Sequence, residues 1–483
     1  MNNTEKHFYI TTTLPYINSE PHVGFAMEII RADVIARYKK SLGYEVFFNT
    51  GTDEHGQKIF DRAQAEEKEV QVFCDENSAK FRALLPVINI SSDVHFIRTT
   101  DEDHILAAQA LWNVCDENGY IYKKAYQTKY CVGCELEKTD GELDENGKCP
   151  DHPIGEIELR DEENYFFKFS AFGEKLLRFY TDNPHFVQPV GRFNEIKSFV
   201  ERGLQDFSIS RLKEKMSWGV PVPKDDSQVM YVWFDALTNY ISTLGWPKEL
   251  EQFEQFWVNG ETVQYCGKDN LRQQTAMWQA MLMACGLPNT KQIIINGFIN
   301  SGGQKMSKSI GNVISPFDVV NEYSTDALRY YLLREMSTFE DGDMTMEKFK
   351  EAYNANLANG LGNLTSRLLN MSATYGIEID HITFEPLETD EIANGYATFD
   401  IGKVMDSIWS EINKLDKFIQ ETEPFKTIKT NPEKAKEDLR YALLRLSHIA
   451  VALAPLLPET SEKMITLIKE NKKPETPLFL RKE

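Results

Sequence analysis

The sequence lacks a membrane-spanning segment, because no stretch approaches the ~18 uncharged apolar residues that a spanning helix requires. Its first residues, MNNTEKHFYITTTLPY, also lack the basic region followed by an apolar run that marks a secretory signal. Cysteines are few: seven among 483 residues, an odd number that argues against a disulfide framework and favours a reducing compartment. We therefore expect a cytoplasmic protein without a membrane partner.

Positive charge is also scarce. The chain has 53 lysines and arginines against 74 aspartates and glutamates, so its formal net charge is -21. This balance favours solubility and excludes a surface uniformly covered by nucleic acid, so a polyanionic partner must meet local basic patches. The phosphate-binding pattern G-x-x-x-x-G-K-[ST] is absent too, which excludes P-loop chemistry.

The chain opens with a strand–helix–strand pattern. HFYITTTLP is rich in β-branched and aromatic residues, SEPHVGFAMEIIRADVIARYKKSLG has apolar residues at helical spacing, and YEVFFNTG predicts a second strand. This order indicates a parallel sheet. Short, turn-rich segments between Tyr120 and Pro223 indicate an insertion, a second α/β region follows, and long amphipathic helical patterns begin after Asp343.

The insertion carries two pairs of metal-binding side chains. They are Cys131-x-x-Cys134 and, after fourteen further residues, Cys149-x-x-His152. Soft ligands in two short-spaced pairs suit tetrahedral zinc, and four protein ligands leave no open position, so we expect one structural Zn²⁺. Redox chemistry of a single CxxC motif is the weaker alternative, because a second pair is present.

Two segments are candidates for binding phosphate. His22 and Gly24 lie at the start of the predicted first helix, where exposed N–H groups attract anions. Lys305 and Lys308 lie on the glycine-loosened loop SGGQKMSKSIGN, and two point charges there suit negative charge that moves during a reaction. For His22, the structural alternative is helix capping. For Lys305 and Lys308, it is a solvated surface loop.

The segments PHVG and KMSKS together resemble the paired signatures of class I aminoacyl-tRNA synthetases. Six stretches further resemble the methionyl-tRNA synthetases: TTTLPYINSEPHVG, NTGTDEHG, YVWFDALTNY, GKD, KMSKSIGN and GNLTSR. The resemblance implies ATP binding and catalysis by His22, Gly24, Lys305 and Lys308. It implies that ATP, used with Mg²⁺, converts L-methionine to methionyl-adenylate, which then charges tRNA(Met). Phe25 departs from the family, which has a polar residue at that position.

The resemblance also implies a methionine-binding pocket. Its residues would be Leu14, Tyr16, Asp53, Trp233, Tyr240 and Gln274. Asp53 offers a carboxylate to the substrate ammonium, and the aromatic rings offer polarizable surface to a thioether. Gln274 stands where the family has histidine, and Asn270 and Gln273 are further polar departures. A paralogue charging a different amino acid is therefore an alternative, and Phe25 raises a second one, a non-catalytic tRNA-binding derivative.

The predicted C-terminal helices contain a candidate RNA-binding surface. Asn363 and Arg367 lie four residues apart, so they share one helix face and can contact unstacked bases. The resemblance implies that they read the anticodon, with Phe425 at the position of a base-stacking tryptophan. The chain stops at Glu483 without room for the C-terminal domain through which some relatives dimerise, so we expect a monomer.

These observations predict an α/β fold: a Rossmann-like parallel-sheet catalytic domain split by a zinc-knuckle insertion and followed by an α-helical bundle. The expected divisions are residues 1–118 for the first half of the catalytic domain, 119–223 for the connective insertion, 224–324 for the second half, 325–355 for a connector linked to the KMSKS loop, and 356–483 for the helical anticodon-binding domain.

Overall fold

The computed structural model describes residues 6–134, 136–138, 142–153, 155–306, 311–380, 382–387 and 389–483. The strands are β1 (His7–Thr11), β2 (Glu45–Thr52), β3 (His95–Arg98), β4 (Ile121–Cys131), β5 (Leu136–Glu137), β6 (Ile157–Phe167), β7 (Val187–Gln188), β8 (Phe207–Ser208), β9 (Ser210–Leu212), β10 (Pro221–Val222), β11 (Asp225–Met230), β12 (Glu261–Gly267), β13 (Gln292–Asn296), β14 (Ile299–Ser301), β15 (Gln304–Lys305) and β16 (Gly342–Asp343).

The helices are α1 (Val23–Ser41), α2 (Gln57–Ala65), α3 (Val70–Val87), α4 (Glu102–Glu117), α5 (Gly173–Asp182), α6 (Val190–Glu201), α7 (Val232–Ala236), α8 (Asn239–Ser242), α9 (Leu250–Gln252), α10 (Trp278–Ala284), α11 (Pro316–Glu322), α12 (Thr325–Tyr330), α13 (Met346–Ala352), α14 (Asn363–Tyr375), α15 (Asp390–Ala397), α16 (Ile401–Thr422), α17 (Pro424–Thr427), α18 (Pro432–Ala452) and α19 (Pro458–Glu470). In the described ranges, no helix has the length and apolarity that a membrane crossing requires.

A six-stranded parallel sheet forms the centre of the fold, in the order β3-β2-β1-β12-β13-β7. Phe8, Tyr9 and Ile10 of β1 are fully buried, as expected for a strand covered on both faces. Strands β2 and β3 lie on one side of β1, and β12, β13 and β7 lie on the other. A crevice is expected at the carboxyl ends of β1 and β12, where the order of the strands reverses.

The segment expected to be an insertion divides its strands among three sheets, one of which joins β9 and β10 to β11. Strands β5, β4, β6 and β8 form a separate antiparallel sheet. Strand β7 instead pairs in parallel with β13, with Val187 opposite Ile293, and is the outermost strand of the central sheet. A strand of two residues has no periodicity, so the sequence pattern did not reveal it.

The C-terminal part of the chain is helical, which confirms the prediction that amphipathic helices follow the α/β region. Helices α16 and α18 bury apolar faces that include Ile408, Trp409 and Leu446. The same apolar cluster also contains Ile30 of α1 and Leu332, so the core continues from the sheet into the helices. Helix α13, a π-helical segment from Tyr353 to Gly362 and α14 follow each other without a break, across the expected division between residues 355 and 356.

Two buried arginines hold helix α1 against the segment that follows the second half of the sheet. Arg31 donates to the carbonyl oxygens of Thr338 at 2.9 Å and Met336 at 3.1 Å. Arg329 on α12 donates to the Asp33 carboxylate on α1 at 3.0 Å. A buried guanidinium is stable only when it is hydrogen-bonded in this way. The amino-terminus of α1 therefore has a fixed position at the crevice.

Candidate active site

His22 and Gly24 shape the amino-terminus of α1. His22 caps the helix, and its Nδ1 accepts a hydrogen bond from the Gly24 N–H at 3.0 Å. A Cβ atom on Gly24 would lie 2.8 Å from Cε1 of the His22 ring, so glycine is needed there. Burial lowers the pKa of His22, and the positive charge of Lys305 lowers it further. The ring is therefore neutral at pH 7, with Nδ1 as the acceptor and Nε2 carrying the hydrogen.

A cavity of about 270 Å³ opens beside this helix start. Its lining includes His22 and Gly24, Gly267 at the end of β12, Asn296 at the end of β13, and Lys305. The cavity therefore lies in the expected crevice at the carboxyl ends of the parallel strands. Phe25 also borders it, and its ring packs edge-on against Phe81 with centroids 5.2 Å apart. The departure from the family thus places an apolar wall where a polar side chain was expected.

Lys305 reaches the cavity from a β-hairpin. It lies on β15 opposite Asn300 of β14, and its ammonium is 5.1 Å from the centre of the Phe298 ring. Asp269 lines the same cavity; burial raises the pKa of its carboxyl, while Lys305 opposes that rise. The predicted partner Lys308 lies outside the described residues. The far end of the loop is attached to α1, because Val23 N–H donates to the Ile314 carbonyl at 3.2 Å.

Asp53, Tyr16 and Trp233 form one group of the predicted methionine-binding residues. Asp53 follows β2 directly, and its N–H donates to the Pro15 carbonyl at 3.0 Å, beside a short parallel bridge to Tyr16. Tyr16 and Trp233 both pack against the apolar cluster that contains Val232. The segments that carry Asp53, Tyr16 and Trp233 are therefore brought together from positions far apart in the sequence. Leu14, from the same predicted set, is also buried.

Tyr240 and Gln274 form a second group. The Gln274 amide nitrogen donates to the buried Tyr240 hydroxyl at 2.6 Å, and the Tyr240 ring lies 5.9 Å from that of Trp278. Gln274 therefore provides a hydrogen bond at the position where the family has histidine. Oε1 of Gln273, Oε1 of Gln274 and Nε1 of Trp278 are buried and have no hydrogen-bond partner in the described part of the chain.

Three residues that the sequence patterns did not single out connect these segments. Asp235 is fully buried and contacts His55 Nδ1 at 2.6 Å and His104 Nε2 at 2.8 Å. Burial raises the pKa of Asp235, but the two histidines outweigh it and hold the pKa at about 2. His55 lies two residues after Asp53, and Asp235 lies two residues after Trp233. Each of these residues thus stands two positions after a predicted methionine-binding residue. This spacing could have pointed to both residues, but it does not show that their side chains are in contact.

The four predicted metal ligands are also brought together. The ligand atoms of Cys131, Cys134, Cys149 and His152 all lie within 4.8 Å of one another. Cys134 Sγ is 3.3 Å from Cys149 Sγ and 3.2 Å from His152 Nδ1. A Cβ atom on Gly133 would lie 2.3 Å from the His152 ring, so glycine allows the loop to fold tightly over its ligand. Three thiols and an imidazole fit a structural metal with tetrahedral coordination.

The candidate RNA-binding residues lie on the C-terminal helices. Asn363 is exposed at the start of α14, and Arg367 contacts the Asp416 carboxylate of α16 at 3.1 Å. Phe425, on the short helix α17, is 42% exposed. An exposed ring is available for stacking on a base, which a buried ring is not.

A parallel sheet with a helix start and a lysine hairpin around one cavity defines a nucleotide-binding enzyme of the class I synthetase type. The family described as tRNA synthetases class I (M) matches residues 8–155 and 153–369, and the anticodon binding domain of methionyl tRNA ligase matches residues 400–477. The chain belongs to the methionyl-tRNA synthetases of class I, which confirms the resemblance.

Individual relatives agree with this assignment. The methionine–tRNA ligase of Thermosynechococcus vestitus is 40% identical over 94% of this chain and 89% of its own length, and that of Fusobacterium nucleatum is 38% identical over 95% and 74%. Among solved structures, methionyl-tRNA synthetase of Mycobacterium tuberculosis in complex with methionyl-adenylate is 34% identical, with a TM-score of 0.86 over 96% of this chain and 94% of that one.

Proposed function

We propose that the cavity between His22 and Lys305 is where this ATP-dependent methionine–tRNA ligase activates its amino acid. The chain activates L-methionine with ATP and charges tRNA(Met) for protein synthesis. In the first step, a methionine carboxylate oxygen attacks the α-phosphorus of ATP, and the bond to the β-phosphate oxygen breaks. The observation that carries the proposal is the cavity shared by helix start, strand ends and lysine hairpin.

The residues around the cavity suit the handling of a triphosphate. The neutral His22 ring can donate from Nε2 to a phosphate oxygen, and the N–H groups that begin α1 add partial positive charge. Gly24 permits close approach of the ligand to the backbone. Lys305, together with Lys308 outside the described residues, would stabilise the charge that accumulates on the departing pyrophosphate. We propose Mg²⁺ as the ion that accompanies ATP.

The group around Asp53 suits the amino acid. The Asp53 carboxylate would bind the substrate ammonium through a charge-assisted hydrogen bond. The rings of Tyr16 and Trp233 would contact the thioether, which favours polarizable aromatic surface. Leu14, Tyr240 and Gln274 complete the proposed methionine-binding set.

We propose zinc for the cluster of Cys131, Cys134, Cys149 and His152, because thiolate and imidazole ligands favour Zn²⁺ over oxygen-seeking metals. Four protein ligands leave no place for substrate, so the ion would only stabilise the knuckle. Elemental analysis of the purified chain should give one zinc per chain. Retention of that zinc after Cys134→Ser would contradict the ligand set.

For the helical part, we propose that Asn363, Arg367 and Phe425 contact the anticodon of tRNA(Met). We further propose a monomeric, cytoplasmic enzyme. Sedimentation of the purified chain across a wide concentration range tests the monomer. A mass that rises toward twice that of one chain would contradict it.

The decisive experiment is ATP–pyrophosphate exchange by the full-length chain with a panel of amino acids. We expect exchange that depends on methionine. The alternative of altered specificity is motivated by the unpartnered buried oxygens of Gln273 and Gln274, which a more polar substrate could satisfy. Preference for another amino acid would establish that alternative. Absence of exchange with every amino acid would leave only a tRNA-binding role.

A further inference from the structure

Two cysteines outside the metal cluster lie side by side. Cys115 is in the last turn of α4 and Cys285 directly follows α10, 170 residues further along the chain. Their sulfur atoms are 3.4 Å apart. Cys115 is fully buried, whereas Cys285 is partly exposed. Cys285 is therefore the residue of the pair that solvent reaches, and the Cys115 sulfur is in contact with its sulfur.

The surrounding backbone holds the two sulfurs in this position. The Asn118 side-chain amide, just beyond α4, donates to the Ala284 carbonyl at 2.8 Å. The Cys285 thiol also lies 3.7 Å from the Leu111 carbonyl oxygen. A disulfide bond is about 2.0 Å long, so closure needs a sulfur displacement of only about 1.4 Å.

The pair does not have the composition of a second metal site. In the part of the chain that the structure describes, the zinc cluster is the only group of three or more metal-ligating side chains close enough to share an ion. Two thiols alone do not complete the four-ligand shell that structural zinc takes. The contact between the two sulfur atoms instead favours formation of a disulfide bond.

We propose that Cys115 and Cys285 form a modification site, in which a hydroperoxide converts the two thiols into a reversible disulfide. The Cys285 thiolate attacks the peroxide, the O–O bond breaks, and Cys285 becomes a sulfenic acid while an alcohol, or water from hydrogen peroxide, leaves. The Cys115 sulfur then attacks the Cys285 sulfur, the S–O bond breaks, and water departs. Two electrons pass from the sulfurs to the peroxide.

The order of the two steps follows from exposure. A hydrogen bond with the Cys285 thiol, together with burial, raises the pKa of Cys115 well above its ordinary value. A buried thiol that is reluctant to ionise is a poor first nucleophile. Cys285 meets the reagent first, and Cys115 acts afterwards at contact distance.

The disulfide would join two helices that flank the amino-acid pocket. Helix α4 carries His104, which contacts Asp235, and α10 begins with Trp278, whose ring packs against Tyr240. A covalent bond between the helices would limit their relative movement. The covalent step itself does not depend on the proposed substrate, so its test is separate from that of the enzymatic activity.

The test uses the zinc-loaded full-length chain treated with hydrogen peroxide, alkylated, digested and analysed by mass spectrometry. We expect a linked pair of peptides that contain Cys115 and Cys285, lighter by two hydrogens and separated by dithiothreitol. In Cys115→Ser, the neighbouring thiol that would react with the Cys285 sulfenic acid is missing. The sulfenic acid should therefore persist and be labelled by dimedone. Cys74→Ser is the matched control, because Cys74 is equally buried and remote in sequence from the pair; it should still form the linked peptide.

Two results would overturn the site. One is oxidation that links only the zinc ligands while Cys115 and Cys285 both stay alkylatable. The other is a folded Cys115→Ser variant, with unchanged zinc content and thermal unfolding, in which dimedone does not label Cys285. Loss of the linked peptide in Cys285→Ser, with folding retained, is the remaining expected result.

Discussion

Lys305 and Lys268 both place their ammonium groups near the ring of Phe298, at 5.1 and 4.5 Å. Their other surroundings differ: Lys305 lines the cavity, whereas Lys268 forms an ion pair with Asp341 at 2.7 Å. Removing a charge that would act on the developing pyrophosphate should cost about 100- to 1,000-fold in rate. We expect Lys305→Ala to lower ATP–pyrophosphate exchange by that factor.

Lys268→Ala is the control for this prediction. It removes a lysine that also lies near the Phe298 ring, but it leaves Lys305 in the lining of the cavity. It should change exchange by no more than about twofold, as for a surface ion pair. Equal losses in the two variants would show that packing on Phe298, and not contact with phosphate, is responsible.

Glu28 is a second residue at the cavity, and its pKa makes a prediction about stability. Burial raises the pKa of its carboxyl to about 7 from an ordinary 4.5, although the Thr13 N–H opposes the rise by donating to Oε1 at 2.8 Å. A raised carboxyl pKa stabilises the folded chain fully below pH 4.5, and that contribution is lost as the pH rises through 7. Glu28→Gln should abolish this loss of stability with rising pH, because glutamine does not ionise.

The measurement is urea unfolding of both proteins without ATP from pH 4 to 8. Relative to the unsubstituted chain, Glu28→Gln should gain about 1 to 2 kcal/mol of unfolding free energy across the window, less than the full shift implies because Glu28 lines the cavity. Glu261→Gln, at a carboxylate on the exposed start of β12, is the control. A difference between Glu28→Gln and the unsubstituted chain that does not vary with pH would refute the assignment.

At the scale of elements, Asp235 joins three parts of the chain: the segment after β2 through His55, helix α4 through His104, and α7, on which it lies with Trp233. Asp235→Asn keeps the shape but removes the charge and one acceptor. We expect the KM for methionine to rise about tenfold with little change in that for ATP. Leaving buried donors unsatisfied should also lower the free energy of unfolding by about 1 to 3 kcal/mol.

Asp225→Asn is the comparison for Asp235. Asp225 also has a pKa of about 2, set by Ser227 and Lys123 among others, but it lies on β11 of a separate antiparallel sheet. Its replacement should leave both KM values unchanged. If Asp235→Asn raised the two KM values equally, a general loss of folding would explain the effect better than positioning of the pocket.

At the scale of the whole molecule, the helices bearing Arg367 are separate from the cavity that holds Lys305. Arg367→Ala should therefore leave ATP–pyrophosphate exchange unchanged and lower aminoacylation of tRNA(Met) by about 10-fold or more, since one good base contact contributes ~1–3 kcal/mol. Both rates would be measured on the same preparation.

Arg445→Ala is the control for Arg367, because Arg445 on α18 pairs with Glu411 of α16 much as Arg367 pairs with Asp416. It should keep aminoacylation near normal. An equal fall in exchange and aminoacylation in Arg367→Ala would show that the substitution disturbs the fold and not a contact with tRNA.

The division of the chain at residues 118, 223, 324 and 355 stays a proposal. Strand β7 belongs to the central sheet although it lies within residues 119–223, and the helical segment around residue 355 has no break.

Local patterns were sufficient for much of this protein. The strand–helix–strand start, the predicted metal ligands Cys131, Cys134, Cys149 and His152, and the helical C-terminal part follow from spacings of two to four residues or from short motifs. The parallel sheet and the helical part are confirmed. Such features are visible in a sequence because neighbours along the chain are also neighbours in a strand, a helix or a knuckle.

Other features required the folded chain. These are the placement of β7 beside β13, the shared cavity of His22 and Lys305, the contacts of Asp235 with His55 and His104, and the meeting of Cys115 with Cys285. Each joins segments at least a hundred residues apart. Periodicity shows which face of an element is buried but not which distant element covers it, since that depends on how all the apolar faces pack together.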